Sequence, residues 1–290
     1  MTMRFGSVTR IADLADRDFA ITRVPRQQWA TGDYVVGRVV GKPTQLYHVE
    51  TPDGSMLPVT AGDQVVGAFG VRAATLEGAG SFQDISDDGQ MHALTSAGLI
   101  GRFTSLSTLL PTPLSLEYEG HALREGNKLV MRDYAIPHEE REFATPTIVL
   151  VGTSMSAGKT VTGKLICRLL SETGKRVIGA KLTGAGRYRD MLAFRDAGAV
   201  EIYDFVDAGL PSTIVPEPDF RDAIRPLLAH IDARQPDVLV AEAGASPIEP
   251  YNGAAAIDEL GDNVCMTIVC ASDPYAVVGV RQAFGLEPDL

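Results

Sequence analysis

The pattern of apolar and polar positions changes near the middle of the chain. In residues 1–131, short Val-rich runs alternate with turn residues, as in YVVGRVVG at 34–41 and LSLEYEG at 114–120. Apolar runs of this length between Gly, Pro, Asn and Asp are typical of β-strands joined by turns. We therefore expect a β-rich N-terminal domain, barrel-like or sandwich-like, over residues 1–133.

A short sequence repeat lies inside this first half. The segment GDYVVGRVVG at 32–41 is similar to GDQVVGAFGV at 62–71. In each copy we expect Gly-Asp to form a turn that leads into a Val-rich strand. Two copies are too few for a solenoid, so the repeat predicts two similar hairpins.

The second half follows a different pattern. Residues 134–145, YAIPHEEREFAT, carry charges and a proline without a clear period, and we interpret them as a linker. From residue 146 to residue 290, apolar runs alternate with segments whose apolar residues have helical spacing. Apolar strands between amphipathic helices predict a parallel sheet with helices on both faces, which is a three-layer α/β domain. The predicted strands are 147–152, 176–181, 201–206, 237–244 and 263–271, and the predicted helices lie near 158–174, 188–198, 217–233 and 252–260.

Composition and charge narrow the class of protein. The chain has 290 residues, of which 45% are hydrophobic and 22% charged, which is ordinary for a globular protein of about two domains. A formal net charge of −11 argues against a nucleic-acid partner, because neutralising phosphates requires clustered Lys and Arg. The N-terminus lacks the apolar core of a signal peptide, and no run approaches the ~18 apolar residues of a membrane span. We therefore expect a cytoplasmic protein without a membrane partner.

The cysteines and histidines indicate neither a disulfide framework nor a zinc site. Cys167, Cys265 and Cys270 lie in apolar runs, which predicts reduced, buried thiols. The five histidines are scattered, and none forms a metal-ligand spacing with a cysteine or another histidine.

One short motif carries specific chemistry. A P-loop has the pattern G-x-x-x-x-G-K-[ST]. The stretch GTSMSAGKT at 152–160 ends in the expected GKT. Its first glycine is one position early, at Gly152, and Thr153 stands where the pattern has glycine. Small residues between a buried strand and a helix leave backbone N–H groups that can converge on phosphates. We expect Lys159 to be a surface-facing cation that reaches the β- and γ-phosphates, and the Thr160 hydroxyl to bind Mg²⁺. The predicted phosphate-binding residues are Thr153, Ser154, Met155, Ser156, Ala157, Gly158, Lys159, Thr160 and Val161.

Three segments in order resemble dethiobiotin synthetase over about residues 147–285. The loop at 152–160 is similar to the family's G-T-D-T-x-V-G-K-T, with Ser154 in place of Asp. The segment RVIGAKLTGAG at 176–186 resembles the family's second strand and its K-P-x-x-[ST]-G, with Lys181, Thr183 and Gly184 on the pattern and Leu182 replacing the proline. The segment PDVLVAEAGASP at 236–247 resembles the family's D-x-x-x-[VI]-E-G-A-G-G, which places Glu242 on the Mg²⁺-associated glutamate and Ala243 on the first glycine.

This resemblance implies a P-loop NTPase-type domain that uses ATP and Mg²⁺. The implied activity is that of a ligase or synthetase, which activates a small carboxylate or carbamate by phosphoryl transfer. Asp204, Glu242 and Lys181 each follow an apolar strand, and ligands of open α/β sheets collect at the carboxyl ends of strands. We therefore expect Lys159, Lys181 and Glu242 to be catalytic, Lys181, Thr183 and Gly184 to bind the second substrate, and Thr160, Asp204 and Glu242 to hold the metal. We also expect a homo-oligomer.

Two alternatives remain open at the level of sequence. DFVDAG at 204–209 resembles a segment of a poorly characterised bacterial family with a similar C-terminal P-loop domain, some of whose members are described as D-glutamate N-acetyltransferases. That resemblance implies that the same loop holds the phosphates of acetyl-CoA. The other alternative is a non-catalytic protein whose partner binding is switched by a nucleotide.

Overall fold

The chain is a mixed α/β protein that divides into two compact units. The computed structural model describes residues 2–41, 47–74, 77–108, 110–155, 157–244, 246, 248–285 and 288–289. The first unit consists of residues 1–135 together with the short segments 185–188 and 209–212. The second unit consists of residues 136–184, 189–208 and 213–290.

This grouping differs from the division at 133 and 146 that the sequence pattern indicates. Two short segments of the second half group with the first unit, because they form long-range bonds there. Ala185 and Ser212 form a β-bridge, the Ser212 hydroxyl donates to the Val71 carbonyl at 2.7 Å, and the Tyr188 amide donates to Glu50 Oε1 at 2.7 Å. Partners so distant in sequence leave no local periodicity from which they could be predicted.

The first unit is built mainly from short strands. These are β1 (Met3–Phe5), β2 (Ala20–Thr22), β3 (Tyr34–Val39), β4 (His48–Glu50), β5 (Met56–Pro58), β6 (Gln64–Phe69), β7 (Val71–Ala74), β8 (Gly78–Ser81), β9 (Gln90–Ala93), β10 (Leu99–Leu106), β11 (Ser115–Arg124) and β12 (Asn127–Lys128). Pairings run from β6 through β3, β11, β9 and β10 and back to β6, so five strands form a closed ring. Closure satisfies the strand edges and gives a small barrel. Residues 131–134 form a 3₁₀ helix.

The two copies of the sequence repeat are neighbouring strands in this ring. β3 and β6 pair antiparallel, with Val36 opposite Val66, so the repeat does not form two separate hairpins. The two turns before the strands are alike, as expected. Asp33 Oδ2 accepts from the Ala30 amide at 2.9 Å, and Asp63 Oδ2 accepts from the Thr60 amide at 2.9 Å.

The second unit contains five parallel strands and five helices. The strands are β13 (Thr147–Gly152), β14 (Val177–Thr183), β15 (Glu201–Asp204), β16 (Val238–Ala243) and β17 (Val264–Cys270). The helices are α1 (Lys159–Glu172), α2 (Tyr188–Asp196), α3 (Glu217–Ala233), α4 (Gly253–Leu260) and α5 (Pro274–Phe284). The strand order is β15-β14-β16-β13-β17, and every pairing is parallel.

The strand order determines which helices share a face of the sheet. The chain moves from β13 through β14 to β15 in one direction, and from β15 through β16 to β17 in the other. Right-handed crossovers therefore place α1 and α2 on one face and α3 and α4 on the other. Phe194 of α2 packs against α1 and β14, since a Cβ on Gly163 would lie 2.2 Å from its ring and a Cβ on Gly179 would lie 2.7 Å from it.

Residues 136–145, interpreted from sequence as a linker, are held by specific contacts within the second unit. Asp232 of α3 forms an ion pair with Arg141 and accepts from the Thr145 hydroxyl at 2.8 Å and the Ala144 amide at 3.1 Å. Burial raises the pKa of Asp232, but these donors outweigh it and hold the pKa below its usual range. The segment is therefore an anchored part of the second unit.

The cysteines differ in burial. Cys167 and Cys270 are buried, as the sequence predicts, but Cys265 is exposed. It lies on β17, which pairs with β13 alone among the named strands, so burial of this edge strand is incomplete. No described helix is both long and apolar enough to cross a membrane.

Candidate functional site

The carboxyl ends of the five parallel strands form the edge at which the sequence-predicted residues meet. β13 and β16 are neighbours, and the crossovers that leave them run toward opposite edges of the sheet. A ligand of an open α/β sheet binds where the connections diverge in this way. The loop at 152–160 leaves β13 at this point, and Glu242 lies near the end of β16.

The loop has the geometry of a strand-to-helix turn. β13 ends at Gly152 and α1 begins at Lys159, with Gly158 in the left-handed conformation at φ 95°. The Thr153 amide donates to the Cys270 carbonyl at 3.0 Å, which anchors the start of the loop to the neighbouring β17. Ser156 lies outside the described residues. The loop therefore presents the first turn of α1 at the carboxyl edge, and the N–H groups of a first helical turn have no partner within their own helix.

The side chains of the predicted phosphate-binding residues differ in exposure. Met155 is exposed, and Val161 on α1 is 74% exposed. Ser154 and Ala157 are half-buried, and the Ala157 amide donates to the Ser154 carbonyl at 3.4 Å. Any contribution of Met155 or Val161 to phosphate binding would therefore come from the backbone.

Lys159 is buried, which corrects the expectation of a surface-facing cation. Its side chain is folded across the loop, and Nζ donates to the Ser154 carbonyl at 2.8 Å. A Cβ at position 152 would lie 2.4 Å from Nζ and 2.8 Å from Cδ of this lysine. The displaced glycine of the motif therefore has a steric role, since any side chain at 152 would push Lys159 aside.

Burial of Lys159 and the nearby carboxylate of Glu242 shift the pKa of the lysine in opposite directions. Burial lowers its pKa, and the neighbouring ammonium of Lys181 acts in the same sense. The carboxylate of Glu242 partly offsets both effects, and the net pKa lies below that of an ordinary lysine. A phosphate next to this ammonium would restore the stability of its charged form.

Asp204, Lys181 and Glu242 form a row across three neighbouring strands. The strand register places Lys181 of β14 opposite Asp204 of β15 on one side and opposite Glu242 of β16 on the other. All three residues are buried. Buried charges require partners, and Lys181 lies between the carboxylates of Asp204 and Glu242 in this row.

Lys181 has strong ionic partners. Its Nζ lies 2.8 Å from Asp190 Oδ2 on α2 and 3.8 Å from Glu242 Oε1. Burial alone would lower the pKa of Lys181, but Glu242 and Asp190 outweigh burial and raise the pKa above the ordinary value. Sequence reasoning did not identify Asp190. Its only signal in the sequence was that of an acidic residue in the first turn of a helix. Such residues are common there because the helix dipole favours negative charge at the N-terminus.

Thr160 and Glu242 are in direct contact. Thr160 Oγ1 donates to Glu242 Oε2 at 3.1 Å, which brings together two of the three residues predicted to hold a metal. Two adjacent ligands of an octahedral ion with bonds of about 2.1 Å are about 3.0 Å apart, so the hydroxyl and the carboxylate have the spacing and the hard oxygen donors that Mg²⁺ requires. Among the described residues there is no group of three His, Cys, Asp or Glu that could hold a metal.

Asp204 has a different environment from the other two predicted metal ligands. Its Oδ1 accepts from the Val206 amide at 2.7 Å, and its own amide donates to Asp207 Oδ2 at 2.8 Å, so the two aspartates organise the turn after β15. Its strand is two strand spacings, roughly 10 Å, from the strand of Glu242. The structure thus does not bring Asp204 to the Thr160–Glu242 pair.

Thr183 and Gly184 are engaged in bonds within the protein. The Thr183 hydroxyl donates to the Gly244 carbonyl at 3.1 Å, and the Gly184 amide donates to the Thr213 hydroxyl at 2.9 Å. Thr213 in turn donates to the Tyr251 carbonyl at 2.7 Å. Thr213 and Tyr251 are buried residues that sequence reasoning did not single out, because neither lies in a motif.

Comparisons with known proteins do not show a family for this chain. No known protein family model matches the sequence, and no curated protein matches it. Among solved structures, the chain is similar to the signal recognition particle receptor FtsY from Elizabethkingia anophelis, with 16% identity and a TM-score of 0.28. The match covers 56% of this chain and 48% of that receptor chain, so the aligned part spans about half of the receptor.

Proposed function

We propose that the second unit binds a nucleoside triphosphate and Mg²⁺ at the 152–160 loop, as a P-loop NTPase-type domain. We further propose that the protein transfers a phosphoryl group to a small carboxylate or carbamate, as a ligase or synthetase of the class that its sequence resembles. The observation that carries the proposal is the contact of Thr160 with Glu242 at 3.1 Å beside the buried Lys159, at the carboxyl edge of the parallel sheet.

Phosphate binding would use the start of α1 and Lys159. The first N–H groups of a helix have no partner within the helix, and the helix dipole favours an anion there. Lys159 would exchange the Ser154 carbonyl, 2.8 Å from its Nζ, for phosphate oxygens. Because the lysine is already held over the loop, little side-chain entropy would be lost on binding.

Thr160 and Glu242 would hold Mg²⁺, directly or through water. When bound, the ion would neutralise charge on the phosphate oxygens during transfer. Glu242 would then change partners from the Thr160 hydroxyl to the ion while remaining 3.8 Å from Lys181.

Lys181 would act mainly by positioning Glu242. Asp190 already satisfies much of its charge at 2.8 Å, so a substrate carboxylate would have to compete with that ion pair. A salt bridge on one side and the glutamate on the other fix the lysine between α2 and β16. Thr183 and Gly184 already bond to protein partners, so in this proposal they would contact the second substrate only by exchanging those bonds.

Isothermal titration with ATP–Mg²⁺, GTP–Mg²⁺ and acetyl-CoA tests the assignment. We expect micromolar or tighter binding of a triphosphate that requires Mg²⁺, followed by release of phosphate when a carboxylate substrate is present. Tight binding of acetyl-CoA with no response to either triphosphate would overturn the proposal in favour of acyl transfer. Nucleotide binding that changes only the oligomeric state would instead indicate a switch.

A further inference from the structure

A cleft of about 390 Å³ lies in the first unit, apart from any residue discussed above. Its walls come from β1, from Ala15 and from the β4–β5 hairpin. Most of the lining is apolar and includes Met3, Phe5 and Leu57. The volume falls within the range of small-molecule sites, which are apolar clefts with a few polar groups that orient the ligand.

Arg4 is a cation in this cleft without an ionic partner. It lies in the middle of β1, opposite Val65 of β6, and its side chain is half-buried. Its Nε is fully enclosed and has no hydrogen-bond partner, and no carboxylate in the described part of the chain forms an ion pair with it. Enclosing a guanidinium N–H without an acceptor costs free energy that folding elsewhere has to offset.

The acidic residue at the rim does not neutralise Arg4. Asp53 lines the cleft, but its Oδ1 accepts from the Thr51 hydroxyl at 2.5 Å and the Ser55 amide at 3.0 Å, and its Oδ2 accepts from the Ser55 hydroxyl at 3.1 Å. These donors lower the pKa of Asp53, so the carboxylate remains charged within its own turn. The polar rim is therefore satisfied, and the guanidinium is left for a ligand.

We infer that this cleft binds a small amphipathic anion, a carboxylate or phosphate monoester with a short apolar chain or ring. The anionic group would accept from the terminal Nη groups of Arg4, since its Nε is enclosed, and the planar guanidinium can bind carboxylate or phosphate in a bidentate manner through them. The apolar part would lie against Phe5 and Leu57. This site belongs to the first unit alone and does not depend on the function proposed for the second.

Fluorescence titration with 8-anilinonaphthalene-1-sulfonate, an apolar anion, tests the site in the full chain. We expect saturable binding that Arg4→Met weakens by about tenfold or more, since charge-assisted hydrogen bonds are lost. Arg17→Met is the matched control, because Arg17 is an exposed arginine that does not line the cleft, and it should leave the affinity unchanged. Ala15→Trp should block binding sterically, as Ala15 is an exposed residue on the rim.

Competition identifies the chemistry of the ligand. Decanoate and decyl phosphate should displace the probe, and the stronger competitor of the two indicates the natural anionic group. Neutral decanol should displace the probe at least tenfold less well. Equal affinity of the probe for wild type and Arg4→Met, or equal competition by decanol, would overturn the inference. The melting temperature without ligand distinguishes a ligand-binding role of Arg4 from a structural one. Arg4→Met should leave this temperature unchanged or raise it, and a clear decrease would show that Arg4 stabilises the fold.

Discussion

The two units each contain a buried cluster of charge, and the clusters serve different purposes. In the second unit, Lys181, Glu242 and Asp190 lie at the carboxyl edge of a parallel sheet, next to a strand-to-helix loop. In the first unit, Asp33 and His121 are fully buried in the barrel, and Lys128 reaches them from its edge.

The cluster of the first unit forms a continuous hydrogen-bonded chain. Tyr118 OH lies 2.6 Å from His121 Nδ1, His121 Nε2 lies 3.2 Å from Asp33 Oδ2, and Lys128 Nζ donates to the same oxygen at 2.6 Å. A neutral imidazole with its proton on Nε2 satisfies both contacts, since Tyr118 then donates to Nδ1. Trp29 packs against the Tyr118 ring at 4.7 Å.

The difference between the clusters lies in what each one holds in place. Asp33 also accepts from the Ala30 amide at 2.9 Å, so its cluster fixes the turn that leads into β3. The Lys181 cluster fixes no turn of this kind and instead aligns Glu242 with Thr160 beside a loop suited to phosphate. What distinguishes the second cluster is its place at diverging crossovers of an open sheet.

The largest effect is expected from removing the central acid of the first cluster. Asp33→Ala leaves His121 and Lys128 without their carboxylate and should lower the free energy of unfolding by about 3 kcal/mol. The matched control is Asp63→Ala in the repeated turn, where only hydrogen bonds are lost and the expected cost is about 1 kcal/mol. Urea denaturation followed by the fluorescence of Trp29, the single tryptophan, measures both. Equal costs would contradict a specific role for the ionic cluster.

Lys159→Ala should next reduce nucleotide affinity by about 100-fold, because a charge-assisted contact to phosphate is lost in a water-poor loop. Lys164→Ala, which removes an exposed lysine five positions along α1, is the control and should change affinity less than about twofold. Calorimetric titration measures both variants. Normal binding by Lys159→Ala would show that the loop is not the phosphate site.

Glu242→Gln should separate metal binding from phosphate binding. The amide keeps the shape but loses the charge that holds Mg²⁺, so the Mg²⁺ concentration needed for half-maximal turnover should rise about tenfold or more. Affinity for the metal-free nucleotide should be unchanged or slightly improved. An unaltered Mg²⁺ requirement would reduce Glu242 to a structural partner of Lys181.

The smallest predicted effect is a pH dependence of nucleotide binding. The pKa of Lys159 is lowered while that of Lys181 is raised, so Lys159 loses its proton first as pH rises. Nucleotide binding that needs the charge of Lys159 is lost as pH passes its lowered pKa. Affinity should therefore fall a few-fold as pH rises from neutrality toward the ordinary lysine pKa of about 10.4. Lys159→Arg should flatten this profile, since arginine keeps its charge. A decline that persists in the arginine variant would assign it to another group.

Local sequence signals were sufficient for the elements of the second unit. The strand predicted at 147–152 coincides with β13, and the helix predicted at 217–233 coincides with α3. Both follow from residue periodicity and apolar content, which act over a few neighbouring residues. The same signals placed Lys159, Lys181 and Glu242 at one edge, because parallel strands align their carboxyl ends.

Contacts between distant residues required the tertiary structure. The Asp190–Lys181 ion pair, the burial of Lys159 over Gly152 and the grouping of 209–212 with the first unit depend on how elements pack.

The sequence by itself determined the strand–helix alternation, the glycine-rich loop and the chemistry available at its end. Only the tertiary structure decided which carboxylate meets which cation and that the Nε of Arg4 is enclosed without an acceptor. The physical reason is range: backbone propensity and periodicity act along the chain, whereas burial and ionic pairing depend on neighbours that the fold brings together from far apart.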